Sequence, residues 1–129
     1  MQFGQADLAA LSAAKEIEIE TQAESGTIHR TIIWVAAHDG DVYLRSVNGA
    51  GARWYREATS GRPVALHVDG RRLPVSLEHA ADPAGIEACS EGLRAKYRRS
   101  YSLASMLADD VLDTTLRAAS GPGPGPVPA

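Results

Sequence analysis

Cysteine is almost missing from this chain. Cys89 is the single one, so no intrachain disulfide can form, and a stapled secreted scaffold is excluded. A basic surplus is also missing: 13 Lys and Arg face 16 Asp and Glu, for a net charge of −3. Nucleic-acid binders carry the opposite imbalance, so no nucleic-acid partner is expected. No apolar run approaches the roughly 18 residues of a membrane span. The first residues hold Asp7 and short apolar stretches rather than an apolar run behind basic residues. These absences predict a cytoplasmic protein with no membrane partner.

What is present reads as alternation and turns. The 129 residues suffice for one hydrophobic core. A short helix is expected over Ala6 to Lys15, capped by Asp7, with Leu8 and Leu11 on its apolar side. From Glu16 the period changes to two: Glu16-Ile17-Glu18-Ile19-Glu20-Thr21 alternates strictly, as a strand with one wet face does. Ile28 to Ala37 is β-branched and apolar on both faces, which suits a central strand. Asp39-Gly40 and Asp69-Gly70 are hairpin turns, because glycine accepts the positive φ of a primed turn. They join Ile28–Ala37 to Asp41–Val47, and Pro63–Val68 to Arg71–Glu78. In the last of these, Pro74 has no N–H to donate and predicts a free or bulged side.

Ala52 to Thr59 reads as a short helix after the break Asn48-Gly49-Ala50-Gly51. Asp82-Pro83 opens another, with Ile86, Cys89, Leu93 and Tyr97 on one face. A helical piece follows from Leu103 to Ala108, and Asp113 to Arg117 reads as a last strand. The expected fold class is mainly β with helices (α+β), an antiparallel sheet of six strands curling on itself. Residues 1–119 form its single domain, and residues 120–129, where Gly and Pro alternate, form a disordered tail.

Arginines gather around the glycine-rich break: Arg45 and Ser46 before it, Arg53 and Arg56 after it, with Arg30 on the neighbouring strand. Fixed charge and forked donors suit a phosphate. The same arginines could equally be solvated, or pair with Glu18, Glu20 and Glu57. Trp54 and Tyr55 border the break and could flank an aromatic ring, whereas Trp34 sits in an apolar run and reads as core. The four histidines show no metal-site spacing, and Cys89 reads as a buried thiol.

Three stretches carry a resemblance: Arg30-Thr31-Ile32-Ile33-Trp34-Val35, Asp39-Gly40-Asp41-Val42-Tyr43-Leu44-Arg45-Ser46 and Gly51-Ala52-Arg53-Trp54-Tyr55-Arg56. With Lys96-Tyr97 and Thr114-Thr115-Leu116-Arg117 they resemble a family of uncharacterised bacterial proteins. That family is grouped with the FMN-binding split barrels, which include pyridoxamine-phosphate oxidase and the deazaflavin-dependent reductases. The resemblance implies a split β-barrel, a homodimer, and an FMN or deazaflavin cofactor at the dimer interface. Carried onto this sequence, it implies cofactor binding by Arg30, Arg45, Ser46, Arg53, Trp54 and Tyr55. It also raises the possibility that Lys96 to Tyr101 reaches the partner subunit's site. Two departures stand out: Arg53 replaces the Lys common near the helix start, and the glycine-rich deazaflavin segment is absent. The function it implies is a flavin- or deazaflavin-dependent oxidoreductase of a small molecule. Two alternatives stay open: a cofactor-free small-molecule binder or enzyme reusing the pocket, and a structural dimer with no ligand.

Overall fold

The computed structural model describes residues 2–121; of the expected tail 120–129, Ser120 belongs to the last strand and residues 122–129 lie outside the described ones. Helix α1 runs over Gln5–Ala13. Seven strands follow: β1 Ile17–Gln22, β2 Ile28–Ile33, β3 Ala36–His38, β4 Asp41–Leu44, β5 Val64–Val68, β6 Arg71–His79 and β7 Leu116–Ser120. Helix α2, Arg53–Ala58, lies between β4 and β5. Helices α3, Pro83–Tyr97, and α4, Leu103–Met106, lie between β6 and β7. Short 3-10 turns cover Gly49–Gly51 and Asp109–Thr114.

All strand pairs are antiparallel, in the order β2-β1-β5-β6-β7-β4-β3. The sheet's two edges, β2 and β3, are separated in sequence only by Trp34 and Val35. Both edges must therefore meet there, which curls the sheet into a half-barrel around a core of Ile17, Ile19, Val35, Leu44, Leu66, Val75 and Leu116. The single strand expected over Ile28–Ala37 is thus two halves of a bent one, and the sheet has seven strands rather than six. A second apolar cluster, with Ala36, Tyr43, Cys89, Leu93 and Met106, packs α3 and α4 against the outside of the barrel.

The bend is pinned by α3. Tyr97 Oη donates to the Lys15 carbonyl at 2.6 Å and accepts from the Val35 N–H at 3.3 Å. Lys96 Nζ donates to the carbonyls of Val35 at 2.8 Å and Leu11 at 3.0 Å. Burial pushes the Tyr97 phenol up to about 12 and the Lys96 amine down to about 8.

The turn chemistry holds. Asp39 and Asp69 take φ of 51°, followed by Gly40 at 85° and Gly70 at 73°, the left-handed pair of a type I′ hairpin. Asp82 accepts from the Gly85 N–H at 3.1 Å and caps α3. Pro74 pairs with Ala65 on β5, and on its other side lies beyond the β7 ladder, where its carbonyl accepts from Gly121. Two local expectations differ. Gly4, not Asp7, occupies the N-cap of α1, and Asp7 pairs with Arg71 at 2.8 Å. Asp113 and Thr114 belong to a 3-10 turn, so β7 begins three residues later than expected.

Candidate functional site

The bend that closes the sheet also opens a cleft beside it. Trp34 lies at the bend, half-buried, and stacks on Tyr97 at 3.9 Å and 4°. The stack fixes one face of the indole. The turn after β4 delivers Val47 and Asn48 to the same cleft, and α2 delivers Trp54, which is 8% exposed and otherwise packed in the barrel core. Ser102, Ser105 and Met106 close the cleft from α4 and its start, and Thr31, Ile32 and Ile33 from β2. The volume is about 310 Å³, at the lower end of the range for small-molecule pockets. Both tryptophans of the chain line it. Two indoles with isoleucine and methionine suit an apolar, planar ring, and Asn48, Ser102 and Ser105 supply hydrogen-bonding groups.

Arg45 forms part of the same wall, but most of its donors point into the protein. It is 2% exposed. Its Nε donates to Thr115 Oγ1 at 2.9 Å, and Nη1 donates to Ser90 Oγ and the Met106 carbonyl, each at 3.0 Å. Its Nη2 donates to the Ile86 carbonyl at 3.1 Å. One guanidinium therefore ties β4 to α3, to the end of α4 and to β7. All four acceptors are neutral, and burial draws its pKa below the ordinary arginine value. Its clearest role is to hold Met106, and with it the α4 wall, in place. Ser46 serves the local turn: its Oγ donates to the Gly49 carbonyl at 2.7 Å, and its N–H donates to Thr114 Oγ1 at 3.0 Å.

The expected site residues do not all converge. Arg45 and Trp54 line the tryptophan cleft. Arg53 does not line that cleft; it lies 3.4 Å from Thr31 Oγ1 and lines a separate cleft with Arg56 and Arg62. Arg30 faces a larger neighbouring cleft of about 530 Å³, with Glu18, His67 and Asp69; Glu16 and Ile32 line both it and the tryptophan cleft. Arg30 pairs with Glu18 at 2.7 Å. Tyr55 is buried and turned away, its hydroxyl 2.9 Å from His79 Nε2. Trp34, read from sequence as core, is a wall of the cleft. Asn48, Ser102, Ser105 and Met106 were missed. The three-residue spacing of Ser102 and Ser105, which puts both on one side of a helical turn, was the available signal.

Cys89 is fully buried, and burial pushes its thiol up to about 11, so it is no nucleophile. Among the described residues no group of three or more His, Cys, Asp or Glu side chains could hold a metal ion. No helix there is long and apolar enough to cross a membrane.

Comparison with solved structures places the fold. A conserved hypothetical protein from Mycobacterium tuberculosis superposes with a TM-score of 0.62 at 13% identity, over 90% of this chain and 78% of that one. The FAD-binding protein of Mycobacterium smegmatis gives 0.51 at 14% identity, over 91% and 88%. The heme storage protein HutZ of Vibrio cholerae gives 0.53 at 9% identity, over 95% and 93%. At such identities these likenesses establish the split-barrel fold, a scaffold that holds different small ligands in different proteins. No curated protein gives a significant sequence match. A family model does match, over residues 7–118: the chain belongs to the family described as uncharacterized proteins conserved in bacteria (DUF2255).

Proposed function

We propose that the protein binds a planar aromatic small molecule of the flavin class in the cleft between Trp34 and Trp54. The observation that carries this reading is the convergence of both tryptophans, Met106 and four short polar side chains, Thr31, Asn48, Ser102 and Ser105, on one half-open cleft that Glu16 also lines. An isoalloxazine or deazaflavin ring matches the indole walls. A phosphate on such a ligand is matched less fully inside the cleft, where Arg45 has given four of its N–H bonds to the protein. Arg53, whose guanidinium reaches Thr31 of the cleft wall at 3.4 Å, would have to supply the missing charge. Bound there, a flavin or deazaflavin supplies electron or hydride transfer, and the protein's part is to seat the ring and exclude water. The small-molecule oxidoreductase reading rests on that supply.

A second copy of the chain completes the surface in this reading. Ile28 and Ile32, on the edge strand β2, are 54% and 63% exposed, and Val47 and Tyr101 are exposed nearby in sequence to the cleft residues. Large exposed aliphatics on an edge strand with one side free mark an interaction surface.

The test is titration of the purified chain with FMN, FAD, riboflavin and a deazaflavin, read by ligand absorbance and tryptophan emission. Saturable quenching that disappears in Trp54→Ala supports the proposal. Unchanged emission with every one of them overturns it. Light scattering after size exclusion tests the dimer: a mass of one chain rejects it.

A further inference from the structure

Five arginines, Arg30, Arg71, Arg72, Arg94 and Arg117, pair with carboxylates. Three others meet in one concavity without doing so. Arg53 and Arg56 of α2, and Arg62 before β5, line a cleft of about 220 Å³ with Glu57, Glu24 and Ala23. Among the described residues none of the three guanidiniums has a carboxylate within ion-pair distance.

The carboxylate best placed to neutralise them is already engaged. Glu57 accepts from Thr21 Oγ1 at 2.8 Å and meets His29 Nδ1 at 3.0 Å. Burial pushes the Glu57 carboxyl up, but the bonds from His29 and Thr21, with the charges of His29 and Arg53, outweigh it and hold the group below the usual carboxylate range. Glu57 is thus ionised and turned toward β1 and β2. The guanidiniums keep most of their donors. Arg62 gives Nη1 to Ser60 Oγ at 2.9 Å and to the Gln22 carbonyl at 3.5 Å. Arg53 makes one long bond at 3.4 Å to Thr31. Arg56 makes no side-chain hydrogen bond among the described residues. Three guanidiniums against the two carboxylates of Glu24 and Glu57 leave the cleft with a net positive charge and free donors, and a tetrahedral oxoanion can accept several charge-assisted bonds there.

We propose that the cleft of Arg53, Arg56 and Arg62 binds a phosphate group, as free phosphate or as the phosphate of a larger ligand. The site shares Arg53 with the flavin reading, but Arg56 and Arg62 lie outside the tryptophan cleft, so inorganic phosphate tests it whether or not a flavin binds.

The experiment follows the side-chain Nε–H signals of the full chain by NMR during titration with inorganic phosphate. Matched titrations with FMN and with riboflavin, which lacks the phosphate, separate the two sources. The Arg56 and Arg62 signals are expected to shift saturably with inorganic phosphate. Arg56→Ala and Arg62→Ala are each expected to weaken phosphate binding by about tenfold or more, the loss of one charged hydrogen-bonding partner. The double variant Arg98→Ala/Arg99→Ala, which removes twice the charge of either cleft variant elsewhere on the chain, is expected to bind as wild type does. A larger shift with FMN than with inorganic phosphate, and none with riboflavin, assigns the group to a ligand. Unmoved Arg56 and Arg62 signals overturn the proposal. So does an Arg98/Arg99 variant that loses as much affinity as the cleft variants. If Arg56→Ala misfolds, Arg56→Lys serves in its place and must still weaken binding.

Discussion

Replacing Arg45 by methionine separates a structural arginine from a ligand-binding one. The substitution keeps the aliphatic stem and removes four hydrogen bonds from a buried cation. Two acceptors keep other partners: Thr115 Oγ1 still donates to the Leu112 carbonyl at 2.8 Å, and the Ile86 carbonyl lies within α3. The Met106 carbonyl, at the end of α4, and Ser90 Oγ lose the Arg45 bond that satisfied them. Leaving a buried polar group bare costs about 1–3 kcal/mol, so two give about 2–6 kcal/mol. Relief from desolvating a guanidinium offsets part of this. The expected net loss is about 3 kcal/mol, and a Tm lower by roughly 10 °C. Urea unfolding of the ligand-free protein measures it. Arg45→Lys keeps the charge but not the planar fork, and should fall between wild type and Arg45→Met. An Arg45→Met protein within about 0.5 kcal/mol of wild type, a surface-like effect, would refute the reasoning.

Three further outcomes are expected. Tyr97→Phe removes the hydroxyl that joins Lys15 to Val35 at the bend; it should cost about 1–2 kcal/mol in chemical denaturation while leaving the Trp34 stack in place. The hydrogen bonds of Arg72 outweigh burial and, with His67, hold the Glu20 carboxyl down to about 2 against an ordinary 4.5. A depressed carboxyl stabilises the fold above its unfolded pKa and loses that contribution as pH falls toward its folded one. Wild-type Tm should therefore drop between about pH 4.5 and 2, and Glu20→Gln should flatten that limb; parallel curves for the two proteins would show that Glu20 is not responsible. Trp54→Ala should weaken ring-ligand binding by about tenfold or more through lost stacking and burial, measured by titration at fixed salt.

The sheet was legible because its signals are local. Strict alternation from Glu16 to Thr21 and the two Asp-Gly turns each fix a strand's face or partner within a few residues. The split of Ile28–Ala37 was not legible. Nothing in that run breaks the β pattern, and the bend is imposed from 62 residues away by Tyr97 at Val35. The site was half legible. Trp54 and Arg45 were found because they flank a glycine-rich break. Which way a side chain points was not, since Arg45 and Arg30 look alike in sequence. One is drawn inward by Ser90, Thr115 and two carbonyls, and the other is held over Glu18 on the barrel's outer face. Trp34 was read as core and does pack against the outer apolar cluster, but the bend also puts it at the edge of an opening, which the sequence did not show.

Tryptophan emission tests the central claim most directly, since Trp34 and Trp54 are the chain's only two indoles and both line the same cleft. Titration with riboflavin and FMN should quench that emission saturably, in proportion to the ligand bound at equilibrium dialysis. Ligand that binds at dialysis while the emission stays unchanged would place the site elsewhere and contradict the account.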